Sequence, residues 1–319
     1  MKNGTVNTHM PRGRSAAQAR SPLAPRRIRL AYVHDMDGWA IHNVGLLWLG
    51  DPGDSVEVTY LCKPALPELH GYDLVWFGHY RLWKQLYRGY GNTKSIISVH
   101  DPSELPVVKL RRSWGATIVT ASVEMQNLLA KRGVKAYVIP TTTDIELRDP
   151  DSITGMPPKL LAISSTYPRK NTEKVARLFQ RCGDELGLVC TTKFGHNILS
   201  REQYVSLLDT HSIFVCLSSQ EGGPLPAMEA MARGCIVLST RVGQMPELLD
   251  GDNGFILGHD EFFEKVAWIR ERPDWLLAAR RKAIATMAEK RDVADIQRHA
   301  RELVARIARQ SRWLRLLCG

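Results

Sequence analysis

The sequence predicts an α/β protein of two successive Rossmann-like units, each a parallel sheet covered by helices on both faces. Three observations carry this expectation. Short continuous apolar runs alternate with helix-length stretches, one polar stretch with three prolines breaks the rhythm near mid-chain, and the rhythm then restarts. Strands that are apolar throughout, rather than alternating, are buried on both faces, as parallel strands under helices are. A length of 319 residues suits two domains.

In the first unit, IRLAYVH (28–34), SVEVTYLC (55–62), YDLVWFG (72–78), SIISVH (95–100), TIVTAS (117–122) and KAYVIP (135–140) read as buried strands. Helices are expected between them at 41–49, 80–90, 104–114 and 123–132. The run TTTDIELRDPDSITGMPP has no apolar periodicity, and residues 143–158 within it read as the linker. The second unit brings KLLAIS (159–164), a helix at 171–186, LGLVCTT (186–192), a helix at 200–209, SIFVCLS (212–218), a helix from about 224 to 233, CIVLST (235–240) and NGFIL (253–257). Helices at roughly 260–271, 273–290 and 293–317 close the chain. The organisation expected is a disordered basic tail (1–27), a first unit (28–142), the linker, a second unit (159–292) and a basic amphipathic helix (293–319) crossing back to the first unit. In open α/β sheets ligands bind beyond the carboxyl ends of the strands, so residues that follow strands are the ones to search.

The chain carries 43 Lys and Arg against 33 Asp and Glu, a net charge of +10. Residues 1–27 hold six cations and no acid, and residues 293–319 hold six arginines against Asp295 and Glu302. Residues 28–292 are therefore neutral, with 31 charges of each sign. A generally basic surface is excluded for the body, and a nucleic-acid partner is not expected. Six cysteines show no C-x-x-C pair, and four lie in apolar runs, which points to buried free thiols in a reducing compartment. No apolar run has membrane-spanning length, and residues 1–25 lack the apolar core of a signal peptide. A cytoplasmic protein is expected. Ile296, Ala300, Leu303, Val304, Ile307 and Leu314 share one face of the last helix, with arginines around it. That face suits packing across the two units or, as the sharper alternative, peripheral contact with the inner face of a membrane.

The most informative stretch is SIFVCLSSQEGGPLPAMEAMARGCIVLST, residues 212–240. A strand runs into Glu221-Gly222-Gly223, with Pro224 as the first residue of a helix. Glycines remove the Cβ atoms that keep a ligand off the backbone, and free N–H groups of Gly222, Gly223 and Leu225 would make a phosphate cradle. Glu229 follows Glu221 by eight residues, two helical turns deeper, where it would accept hydrogen bonds from a pair of sugar hydroxyls. The rival for Glu221 is a carboxylate that merely complements the helix dipole, and for Glu229 a solvated helix carboxylate.

With its context, EGGPLPAMEAMARGCIVLSTRVGQMPELLDGDNGFIL resembles the E-G-x-P-x-x-x-x-E-A-M-A-x-G-x-P-V segment and the following G-G-x-x-E-(L/I)-x-x-(D/N)-G-x-x-G of the retaining GT-B glycosyltransferases of family 4. VIPTTTD (138–144), VTASVEMQNLLAKRGV (119–134), SVHDP (98–102) and AISSTYPRKN (162–171) are similar to further family segments. The resemblance implies two Rossmann-like domains facing a central cleft, with a nucleoside diphosphate sugar on the second and an acceptor on the first. It also implies no metal or other cofactor, and Arg169 and Lys170 gripping the diphosphate. Three positions depart from the pattern: Ser165 for Arg, Thr141-Thr142 for Asn-Gly, and Gln244 for the second Gly of a Gly-Gly turn.

His100 ends a strand at the expected cleft, and with Glu221 is the catalytic candidate, against a structural strand-end histidine. In the first loop, HDMDGWAIHN, Gly38 is a candidate for backbone approach to phosphate and Trp39 for lining the acceptor site. Asp35-Met36-Asp37 looks like the metal-binding D-x-D of the other glycosyltransferase fold but sits in the first of two units, so a metal role is rejected. The expected activity is transfer of a sugar to an acceptor hydroxyl on a glycan, glycolipid or natural product. The rival is a non-catalytic protein that binds a sugar nucleotide or a partner on the same fold.

Overall fold

The structure, a computed structural model, describes residues 27–318 apart from Trp39 and residues 51–52, 54, 88–93, 106–114, 156, 166, 184–187 and 192–198. The expected basic tail thus lies outside the described residues, as do Trp39 and most of the helix expected at 104–114.

Two parallel sheets form. The first takes β1 (Ile28–His34), β2 (Val56–Cys62), β3 (Leu74–Phe77), β4 (Ser95–Ser98), β5 (Thr117–Thr120) and β6 (Ala136–Val138) in the order β2-β1-β3-β4-β5-β6. The second takes β7 (Leu160–Ser165), β8 (Leu188–Thr191), β9 (Ile213–Cys216), β10 (Ile236–Ser239) and β11 (Gly254–Ile256) in the order β11-β10-β9-β7-β8. Register keeps like with like: Val33 lies opposite both Leu61 and Phe77, and Leu238 lies between Val215 and Phe255. The central strands β3, β4, β9 and β10 are buried at every position, which is why they read as unbroken apolar runs.

Helices α1 (Ala40–Leu49), α2 (Tyr80–Leu86) and α3 (Val123–Ala130) cover the first sheet. In the second unit come α4 (Thr172–Cys182), α5 (Arg201–Asp209), α6 (Leu225–Ala232), α7 (Met245–Leu248), α8 (Phe262–Arg270) and α9 (Pro273–Lys290). Several begin where the sequence offers a cap: Ser122 Oγ accepts the Met125 N–H, and Ser200 and Gln203 form a capping box. After α6, Gly234 takes φ +83°, a left-handed conformation that lets the chain turn at once into β10.

The final helix, α10 (Val293–Cys318), returns to the first unit. Its Ile296, Ala300, Leu303, Val304 and Ile307 are buried in one cluster with Leu30, Trp48, Leu49, Val119 and Ile139. The apolar face that sequence reading offered as a membrane contact is therefore occupied by the core of the first unit; the side chain of Leu314 lies outside the described residues. Among the described residues no helix is long and apolar enough to cross a membrane. Cys182, Cys216 and Cys235 are buried free thiols, whereas Cys62, at the end of the edge strand β2, is exposed.

Candidate functional site

In the second sheet the chain passes from β7 to β8 on one side and then to β9 on the other, so the loops leaving β7 and β9 diverge at a topological switch point. Those two loops carry the candidate donor residues. A 3₁₀ turn at Pro168–Lys170 follows β7 and ends at Asn171, whose φ is +51°. Asn171 Nδ2 donates to the Leu217 carbonyl at 2.8 Å and the Ser219 N–H donates to the Arg169 carbonyl at 2.8 Å, tying one loop to the other.

The tie brings two cations onto one buried carboxylate. Lys170 Nζ lies 2.5 Å from Glu221 Oε1 and Arg169 Nη1 3.2 Å from Oε2, while the Glu221 side chain is 7% exposed. Arg169 therefore brings a guanidinium to this site, in a chain that has Ser165 where the family pattern has Arg. The carboxylate holds both cations in register beside the glycine turn.

The glycine turn next to it differs from the expected cradle. The Leu225 N–H is not free: it donates to the Gly223 carbonyl at 2.8 Å across Pro224, whose φ −71° and ψ 83° make an inverse γ-turn. Pro224 precedes the helix, and Leu225 is its first residue. The glycines themselves face protein. A Cβ on Gly222 would stand 2.1 Å from the His100 carbonyl oxygen, and one on Gly223 would stand 2.2 Å from Thr141 Oγ1 and 2.5 Å from Gln244 Nε2. Their lack of a side chain lets the first unit close against the second. The N–H groups of Gly222 and Gly223 have no hydrogen-bond acceptor among the described residues.

His100 follows β4 at the carboxyl end of the first sheet. Its Nε2 lies 2.6 Å from the Gly78 carbonyl, its ring stacks on Trp48 at 6.0 Å, and its backbone N–H donates to Glu104 Oε2 at 2.9 Å. A carbonyl only accepts, so Nε2 carries the proton and Nδ1 is left as the basic ring nitrogen. Burial lowers the imidazole pKa, which keeps the ring neutral at pH 7.

Glu229, one turn into α6 because the helix begins only at Leu225, is 14% exposed. Tyr204 Oη donates to its Oε2 at 2.6 Å and Arg201 Nη1 reaches its Oε1 at 3.4 Å, with Arg201 Nη2 also 2.5 Å from Asp144 Oδ1. Desolvation raises the Glu229 pKa against the pull of Tyr204 and Arg201. Sequence reading missed Tyr204, Arg201 and Asp144, which lie on a separate helix and in the linker; only their polarity at positions bordering α6 marks them.

In the loop after β1, Gly38 (φ +71°) has open space about it, but its N–H donates to His42 Nδ1 at 2.8 Å. His34, Asp37 and His42 lie within metal-ligand range of one another. The two rings stack face to face at 4.3 Å, and His42 Nδ1 accepts the Gly38 N–H, which leaves Nε2 as the His42 nitrogen that could face an ion. A cavity of about 850 Å³ lies elsewhere, between the β6 edge and α10, lined by Tyr137, Ile296 and Leu303 among others. At the switch point the free volume beside Lys170 and Pro224 is only about 20 Å³.

Residues 169–272 match the family model described as Glycosyl transferases group 1. No curated protein matches the chain by sequence. Among solved structures, HepE of Anabaena in complex with UDP and glucose is 14% identical, with 88% of this chain and 100% of that one covered and a TM-score of 0.65. Sucrose-phosphate synthase of Thermosynechococcus elongatus is 13% identical, over 88% and 99% of the two chains, at 0.64. WaaG, a glycosyltransferase involved in lipopolysaccharide biosynthesis, is 10% identical over 86% and 99%, at 0.61. The fold is therefore GT-B: two parallel α/β sheets facing each other across a cleft, as the sequence pattern implied.

Proposed function

We propose that the chain is a retaining glycosyltransferase that moves a sugar from a nucleoside diphosphate sugar to an acceptor hydroxyl without a metal ion. The observation that carries this reading is the convergence of Lys170, Arg169 and Glu221 at the switch point of the second sheet, against His100 of the first. The match of residues 169–272 to group 1 glycosyltransferases and the UDP held by HepE support it.

In this reading the donor diphosphate takes Lys170 and Arg169 from Glu221 and accepts the N–H groups of Gly222 and Gly223. These groups meet negative charge as it develops on the leaving oxygen. The bond from the anomeric carbon to the diphosphate oxygen breaks, the acceptor oxygen bonds on the same face, and the acceptor proton passes to the departing diphosphate. Glu221, released from its cations, contacts the donor sugar, and Glu229 accepts from the ribose hydroxyls beside Tyr204. His100 stands neutral at the acceptor side.

The test is direct. Purified protein is incubated with UDP-, GDP-, ADP- and dTDP-sugars, beginning with UDP-glucose, and nucleotide release and binding are measured. Donor-dependent nucleotide release is expected, and absence of both binding and release across the panel refutes the reading. The rival, a non-catalytic sugar-nucleotide or partner-binding protein, draws on the departures at Ser165, Thr141 and Gln244, and predicts tight binding with no turnover for any acceptor.

A further inference from the structure

We propose that Glu104 is a positioning residue for His100: its carboxyl holds the His100 backbone N–H in the loop leaving β4 and so fixes the residue at which the first unit meets the second. The inference rests on the glycosyltransferase reading above.

Two bonds carry it. Glu104, in the short 3₁₀ turn Pro102–Glu104, is 4% exposed, and its Oε2 accepts the His100 backbone N–H at 2.9 Å. Arg81, in the first turn of α2 after β3, lies close enough for its charge to act on this carboxyl. In the opposite direction His100 Nε2 donates to the carbonyl of Gly78, the residue that follows β3, at 2.6 Å. The His100 side chain thus bonds the two loops, and Glu104 fixes the His100 backbone that carries it. Outside this pair the turn is closed by Arg81 Nη2 donating to Ser103 Oγ at 2.6 Å and by the Ser103 N–H donating to Asp101 Oδ1 at 2.9 Å. The His100 carbonyl then packs on Gly222 so closely that no Cβ fits between them. A loose His100 would misplace both the imidazole and this contact.

The carboxyl works in its neutral form. Burial pushes its pKa up to about 8, against the pull of the His100 and Arg81 groups. Among the described residues the charged groups acting on it are Asp101 from its own turn, which adds to the rise, and Arg81 from α2, which opposes it. Near pH 7 it is protonated, and above pH 8 a buried negative charge appears beside Asp101 under the His100 loop.

Full-length Glu104→Gln and Glu104→Leu are compared with the parent, measuring kcat and donor KM with UDP-glucose from pH 6 to 9.5. The parent is expected to lose kcat along an alkaline limb centred near pH 8. Glutamine keeps the shape and the acceptor but never ionises, so Glu104→Gln is expected to retain kcat within about threefold and to lose that limb. Glu104→Leu is expected to lower kcat about tenfold or more with donor KM unchanged, because the donor is held by the other unit. An alkaline limb that persists in Glu104→Gln overturns the proposal, as does an unchanged kcat in a folded Glu104→Leu. If Glu104→Leu fails to fold, Glu104→Gln decides. If the parent turns over no nucleotide sugar, the transferase reading is what has failed. Glu104 is then judged by NMR titration of the His100 imidazole, whose pH response must differ between parent and Glu104→Gln and overturns the proposal if the two superimpose.

Discussion

Gly222→Ala is the sharpest test of how the two units meet. The added Cβ would stand 2.1 Å from the His100 carbonyl oxygen, where ordinary contact begins at 3.4 Å, so one backbone must retreat by about 1.3 Å. Neither partner is the flexible end of a side chain. Gly222 does not hold a positive φ, so alanine carries no conformational strain of its own there, and the cost falls on the contact between units. A displacement of about 1 Å between reacting groups costs on the order of a hundredfold in rate, or roughly 2.7 kcal/mol in the barrier. The expected result is a fall of about that size in kcat with UDP-glucose, with a smaller loss of UDP affinity by calorimetry because the Gly222 N–H also meets the diphosphate. Gly155→Ala, where a Cβ meets open space, is the control and should leave both constants unchanged. A Gly222→Ala enzyme within twofold of the parent, or an equal loss in the control, would refute the claim that the glycine exists to let His100 approach.

Other outcomes follow from the same geometry. Glu221→Gln removes the charge that neutralises Lys170 and Arg169, so UDP should bind severalfold more tightly while sugar transfer falls; calorimetry and turnover on one preparation check the opposed signs. Glu229→Ala removes the acceptor for Tyr204 Oη and the proposed ribose contact, so nucleotide affinity should drop about tenfold; unchanged affinity excludes the ribose role. Ending the chain at residue 292 strips Ile296, Leu303, Val304 and Ile307 from the core of the first unit, at about 1.5–3 kcal/mol each, a loss comparable with the whole stability of a domain. The truncated chain should lose the cooperative melting of its first unit in calorimetry. Glu104 has a folded pKa raised well above the ordinary carboxyl value, so its stabilising contribution is complete below about pH 4.5 and is lost as pH rises through about 8. Denaturant titrations from pH 5 to 8 should show the parent losing stability relative to Glu104→Gln by about 1.4 kcal/mol per pH unit at most.

What can be read from a sequence divides along physical lines. Strands such as Ile213–Cys216 are legible because a strand buried on both faces has no polar alternation. Lys170 and Glu221 are legible because a parallel sheet delivers chemistry at the residues just beyond its strands. Strand ends are less so: Val99 and His100 extend the apolar run past β4, but the chain leaves the ladder at Ser98. The state of each N–H in the glycine turn is not legible at all. Proline at 224 is as compatible with the first helical position as with the γ-turn that consumes the Leu225 N–H, and only the backbone angles separate them. Glu104 is equally silent, because a glutamate four residues past a strand-end histidine looks solvated until the neighbouring loop is folded over it.

The departures from the family pattern do not act separately. Thr141 and Gln244 stand 103 residues apart, one at the end of the first unit and one in the turn after β10, and Gln244 Nε2 donates to Thr141 Oγ1. Both lie directly over the Gly223 backbone, in the space that a small residue at 244 would leave empty. Gln244 is wholly buried, and its Oε1 has no hydrogen-bond partner, at a cost of about 1–3 kcal/mol. A glycine at 244 would remove that cost and the bond together, while a hydroxyl or amide at position 141 alone would have nothing to meet. The pair is therefore coupled, and the double replacement Thr141→Asn with Gln244→Gly should be less damaging to stability than the sum of the single changes. A melting series over the four proteins measures that coupling directly, and strict additivity would show that the two positions are not coupled.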